Sequence, residues 1–163
     1  MPQSAHHIRF PLLAYNVKVF PVLAEFGIKS ITSVVEDDYE NFDRITIDYK
    51  GKPYTFLQFP IAYEHENKAK ILLMDYNFYV YDTSNHIDPE ISKEEMVKLY
   101  MDEAERAFKD RRPFFISHHF SNWNNSAYWD AMKEVIIEVK KKYKTEFFTV
   151  SQLYDLLNRE RQK

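Results

Sequence analysis

The sequence predicts an α/β fold with parallel strands, layered or barrel-shaped, and three features support it. From residue 92 onward, helix-like and strand-like segments alternate with short connections, the pattern of strands crossed by helices. Near the N-terminus, a helix-like segment closed by Gly27 leads straight into the β-branched run IKSITSVV. Between these regions, ITIDYKGKPYTFLQF reads as an inserted β-hairpin turning on the second of only two glycines, Gly51. With 163 residues and no Gly/Ser-rich linker, a single domain spanning 1–163 is the expectation.

In chain order, residues 16–26 (NVKVFPVLAEF) put Val17, Phe20, Val22, Leu23 and Phe26 near helical spacing, with Pro21 tolerable only in a first turn. Residues 45–49 and 54–59 flank KGKP and form the hairpin arms. Residues 71–81 (ILLMDYNFYVY) read as a further strand, interrupted by Asp75 and Asn77. Ser92 opens an amphipathic helix with a capping box, Ser92 answered by Glu95. Residues 113–120 follow as a short apolar strand, and residues 126–143 as a long helix with lysines gathered at its C-terminal end, where the helix dipole favours them. A short strand is expected over residues 146–150, and Thr149 with Gln152 offers a capping box for a last helix to about Arg161.

Composition narrows the function classes. A net charge of -3 and a pI near 6.1 give no basic footprint for nucleic acid. Two glycines cannot build a Gly-rich phosphate loop, and the absence of cysteine removes disulfides and thiolate metal ligands. No secretory leader or membrane-length apolar run is readable, so the chain as written is expected to be cytoplasmic, with its compartment otherwise unknown. The 13 Phe and 12 Tyr point to thick core layers or a wall for a flat ligand.

Candidate chemistry concentrates in PFFISHHFSNW, where an apolar strand ends in two histidines. Residues at strand ends turn toward loops in parallel α/β folds, so His118 or His119 is a candidate acid, with Trp123 as an apolar wall. Packing is the competing reading, one imidazole satisfied by a backbone carbonyl and the other at the surface. Arg9, in an apolar setting ahead of a proline, calls for a carboxylate or a substrate oxygen, or else is a strand-end arginine in solvent. Asp75 interrupts an apolar run and is either a substrate contact or a satisfied structural carboxylate; Tyr76 and Asn122 join Trp123 as candidate substrate contacts. His6 and His7 are not read as metal ligands, because adjacent imidazoles diverge on an extended chain. Asp37 and Asp38 read as a solvated acidic loop.

Three stretches resemble the polysaccharide deacetylase domain of the NodB-homology type (carbohydrate esterase family 4), in its chitin-deacetylase-like branch. IRFPLLAYNVKVFPVLAEFGIKSITSVV is similar to that family's Arg-x-Pro motif with the helix, Phe-Gly turn and strand that follow. FLQFPIAYE and LLMDYNFYV resemble its central strands, and RRPFFISHHFSNWNNSAYWDAMKEVIIEVKKKYKTEFFTVSQLYDLL resembles its closing region, where a strand ends in the catalytic histidine. The resemblance implies the C-terminal part of a distorted (β/α) barrel that hydrolyses N-acetyl groups on a carbohydrate polymer. It implies that Arg9 orients a catalytic aspartate and that His119, or His118 beside it, protonates the leaving amine. A zinc-like divalent metal is implied for the complete family domain, with no cofactor held in this chain.

In that family the base and metal-ligand motifs lie upstream of the Arg-x-Pro motif, whereas eight residues precede Arg9 here, and Ile31 stands where relatives tend to carry an aspartate. The expected partners are therefore an N-acetylated polysaccharide and either a complementary N-terminal half or a second copy, since a half barrel exposes two strand edges. A non-catalytic carbohydrate-binding module of the same fold is the alternative.

Overall fold

A computed structural model describes residues 6–10, 15–32, 44–59, 61, 73–78, 91–119 and 126–160. The chain comprises two compact units, Met1–Pro60 with Phe147–Lys163, and Ile61–Glu146.

The first unit carries β1 (His7–Arg9), α1 (Val19–Glu25), β2 (Ser30–Thr32), β3 (Arg44–Tyr49), β4 (Lys52–Gln58) and α4 (Val150–Glu160). Its four-stranded sheet has the order β1-β2-β4-β3, with β1, β2 and β4 parallel and β3 antiparallel to β4. Pro21 falls in the first turn of α1, where its missing N–H removes no intrahelical bond. The helix ends in a Schellman turn: Ile28 N–H donates to the Leu23 carbonyl at 2.9 Å, Gly27 N–H donates to the Ala24 carbonyl at 3.1 Å, and Gly27 takes φ +75°. That reversal carries the chain into β2, so Ile31 joins Phe10, Phe20, Leu23 and Phe56 in a core on one face of the sheet.

The hairpin forms as expected, but its loop is only Lys50–Gly51, both at positive φ, and Lys52 and Pro53 belong to β4. The Asp48 carboxylate accepts from Gly51 N–H at 3.0 Å and fixes the turn.

The opposite face of the sheet is polar at β1 and β2. Ser30 Oγ donates to the His6 carbonyl at 3.2 Å, so only its lone pairs face His7, and His7 Nδ1–H donates to it at 3.0 Å. The remaining nitrogen, Nε2, then accepts from the Thr32 hydroxyl at 3.0 Å, and the Phe59 ring meets His7 edge-on at 5.5 Å. This network fits a neutral imidazole. Burial, and secondarily the Arg9 guanidinium, push His7 down from an ordinary 6.5 to about 4.

Between those values the unfolded chain binds more protons than the folded one. The contribution is therefore present above pH 6.5 and is lost as the pH falls through 4. Discounted for the partial exposure of His7, the expected loss is about 2 kcal/mol. Thermal unfolding of wild type and His7→Gln at a series of pH values in this window checks this: the gap between the two should narrow with acidification, and parallel curves would contradict it.

The second unit carries a helical turn at residues 75–78, α2 (Lys93–Lys109) and α3 (Ala127–Tyr143). The Ser92–Glu95 capping box forms reciprocally: Glu95 N–H donates to Ser92 Oγ at 3.1 Å, and Ser92 N–H donates to the Glu95 carboxylate at 3.0 Å. Met96, Tyr100 and Ala104 of α2 recur every fourth residue and pack with Tyr128, Ala131, Val135 and Val139 of α3, together with Leu73 and Phe78. Among the described residues no helix is long and apolar enough to cross a membrane.

Three expected strands are corrected. Among the described residues of 71–81, pairing is limited to Met74, and residues 75–78 turn helically as Asn77 N–H and Phe78 N–H both donate to the Met74 carbonyl. Within 113–120 pairing among the described residues is limited to Ser117, bridged in parallel to Met74. Residues 146–149 are not a strand: Thr149 N–H donates to Gln152 Oε1 at 2.8 Å and Gln152 N–H donates to Thr149 Oγ1 at 3.2 Å, the capping box that starts α4 at Val150.

Candidate functional site

The parallel bridge between Met74 and Ser117 is what assembles the site. Parallel register sets the residues just beyond the two bridged positions side by side, so Asp75–Tyr76 and His118–His119 leave their segments together at the C-terminal side. The buried Tyr100 hydroxyl clamps this junction. It lies 2.9 Å from the Leu73 carbonyl and 3.1 Å from the Ser117 carbonyl, sharing its one proton between them.

Asp75 is fully buried at the centre. The main-chain N–H of His119 donates to both carboxylate oxygens, at 3.1 Å to Oδ1 and 3.0 Å to Oδ2. The His119 ring adds a third bond, Nδ1 to Asp75 Oδ1 at 2.7 Å. A carboxylate only accepts, so Nδ1 carries the proton and Nε2 is the ring nitrogen left for chemistry. His119 is 45% exposed at its side chain, so that nitrogen belongs to a ring that reaches solvent. The Tyr76 ring, itself exposed, flanks the imidazole edge-on at 5.8 Å.

His118 behaves oppositely. Its side chain is 5% exposed, its Nδ1 lies 2.7 Å from the His119 carbonyl oxygen and 3.4 Å from Asp75 Oδ2, and its Nε2 lies 3.3 Å from the Tyr128 carbonyl. Trp129 covers the ring at 4.6 Å. The two imidazoles thus differ in kind: one buttressed by main-chain carbonyls, one presented outward on a buried carboxylate.

Asp75 is placed beneath His119, not facing a ligand, so a substrate contact through its carboxylate has no open side. Arg9 lies exposed at the end of β1 in the first unit. Trp123 and Asn122 lie outside the described residues, as do Asp37 and Asp38. Two features went unread in the sequence: the pairing of Asp75 with His119, and the His7–Ser30–Thr32 network. For the first a signal existed, since LLMD and FFISHH both end an apolar run in a polar side chain. For the second, only the alternation of Ser30 and Thr32 hinted at a polar face.

The described residues do not assemble a set that fits the divalent site implied by the resemblance. Among the described residues no group of three or more His, Asp or Glu side chains is placed to hold a metal ion, and both Asp75 oxygens already accept from His119. What the geometry can do by itself is move one proton at an oriented imidazole. Comparison with known family models, with curated proteins and with solved structures gave no match.

Proposed function

We propose that the chain hydrolyses N-acetyl groups on a sugar polymer, as a carbohydrate deacetylase with His119 as its proton carrier, in an α/β domain related to the polysaccharide deacetylase barrel. The observation that carries this reading is the 2.7 Å contact between buried Asp75 and solvent-reaching His119. Amide hydrolysis needs two proton transfers, one from the attacking water and one to the departing amine. His119 Nε2, unprotonated at the outset, takes a proton from the attacking water as the water oxygen bonds to the acetyl carbon; the C–N bond then breaks with its electron pair going to nitrogen, and that nitrogen takes the same proton back from Nε2. Acetate and a free amine result. Asp75 holds the imidazole in the tautomer and orientation that keep Nε2 outward. The Tyr76 ring beside His119 offers a flat apolar edge against which a sugar ring can lie.

Acetate release from an acetylated chito-oligosaccharide tests this, with and without added zinc or cobalt. Release is expected from the wild-type chain, and His119→Ala should lower it by about 100-fold to 10,000-fold, the usual worth of a positioned acid. Saccharide binding without release under every condition would support a binding module instead.

A further inference from the structure

We infer that His118 is a positioning residue that acts through His119, an inference resting on the acid reading of His119 above. Adjacent side chains on a pleated strand point to opposite faces, yet both imidazoles here lie against one carboxylate, His119 at 2.7 Å and His118 at 3.4 Å. The chain achieves this because, among the described residues, pairing is limited to Ser117 and the main chain then turns its N–H onto Asp75. Such a turn needs an anchor on its far side.

His118 is that anchor. All three atoms around its ring nitrogens are acceptors: the His119 carbonyl at 2.7 Å, Asp75 Oδ2 at 3.4 Å and the Tyr128 carbonyl at 3.3 Å. A carbonyl oxygen cannot donate, so the shortest contact fixes a proton on Nδ1, where it faces both the His119 carbonyl and Asp75. His119 is then gripped at three points: its main-chain N–H on Asp75, its ring Nδ1 on Asp75, and its carbonyl on His118. The Trp129 ring at 4.6 Å and the Tyr128 carbonyl, both from the first turn of α3, keep the His118 ring from rotating away. Removing the Nδ1 donor frees the peptide that follows His119 and lets its ring drift off Asp75 Oδ1.

Two variants of the full chain separate this role from simple packing. In His118→Asn the amide nitrogen falls near the position of Nδ1 and can still donate to the His119 carbonyl. In His118→Gln it falls near Nε2, toward Tyr128, and the Nδ1 donor is gone. Two readouts are taken: kcat and KM for acetate release from an acetylated chito-oligosaccharide, and the downfield proton signal of the His119 Nδ1–H by nuclear magnetic resonance. His118→Asn is expected to keep both. His118→Gln is expected to lose the signal and to lower kcat about tenfold with KM unchanged. A glutamine variant that keeps the signal, or an asparagine variant that loses it equally, overturns the inference. Absence of acetate release from the wild type removes the deacetylase reading alone, because the proton signal still decides whether His118 positions His119.

Discussion

Asp75→Asn is expected to lower kcat for acetate release by about three to four orders of magnitude while leaving the chain folded. The carboxylate now accepts three hydrogen bonds, two from the His119 main-chain N–H and one from its ring. An amide has one acceptor oxygen. If that oxygen stays with the main-chain N–H, the NH2 group faces Nδ1 and drives the ring proton to Nε2, the wrong tautomer for an imidazole that must cycle a proton at that nitrogen. Shape and volume are conserved, so circular dichroism should be unchanged while turnover collapses. Turnover equal to wild type would show that Asp75 is a structural carboxylate and that His119 needs no partner.

The largest expected effect on stability is at Glu103. This buried carboxylate on α2 accepts from Arg112 at 2.7 Å and from Arg106 at 3.1 Å. Arg112 reaches it because α2 ends in a tight reversal, with Arg112 N–H donating to the Ala107 carbonyl at 3.0 Å and Arg111 at φ 54° in the position usually given to glycine. Glu103→Ala leaves the Arg112 guanidinium, 15% exposed, without its main counter-charge, and opens a void against the core. Breaking a buried pair typically costs 3–5 kcal/mol, and about 3 kcal/mol is expected here because the Arg106 side chain is already 34% exposed and can turn to water. Both tryptophans of the sequence fall in Ile61–Glu146, so their fluorescence in a urea titration follows this unit selectively. A midpoint unchanged from wild type would mean that the ion pair contributes nothing net.

Local features were legible in the sequence because their causes are local. The Ser92–Glu95 and Thr149–Gln152 capping boxes, the Gly27 stop and the Gly51 turn each depend on residues no more than a few positions apart, and each appears in the structure. The misread strands have equally specific reasons. Phe147, Phe148 and Val150 have strand propensity, but the Thr149 cap commits its main-chain N–H to a helix start, and both phenylalanines stay exposed. Residues 75–78 alternate polar and aromatic side chains, Asp75, Tyr76, Asn77 and Phe78, which reads as a strand, but they form a helical turn that begins where Asp75 is seized by His119, 44 positions away in sequence.

That distance also explains why the site was only half readable. The two ends, LLMD and SHH, are visible singly, whereas their meeting depends on the Met74–Ser117 register, which no local spacing encodes. The first compact unit recruits Phe147–Lys163 from the far end of the chain, an association that no local composition marks.

The most direct measurement of the central claim is chemical rescue of the His119→Ala chain on an acetylated chito-oligosaccharide. With the acid removed and the buried Asp75 still in place, added imidazole can occupy the vacated volume and restore a proton donor. The account predicts acetate release by wild type, its loss in His119→Ala, and a return that rises with imidazole concentration. A His119→Ala chain that releases acetate as fast as wild type, with no response to imidazole, would contradict it.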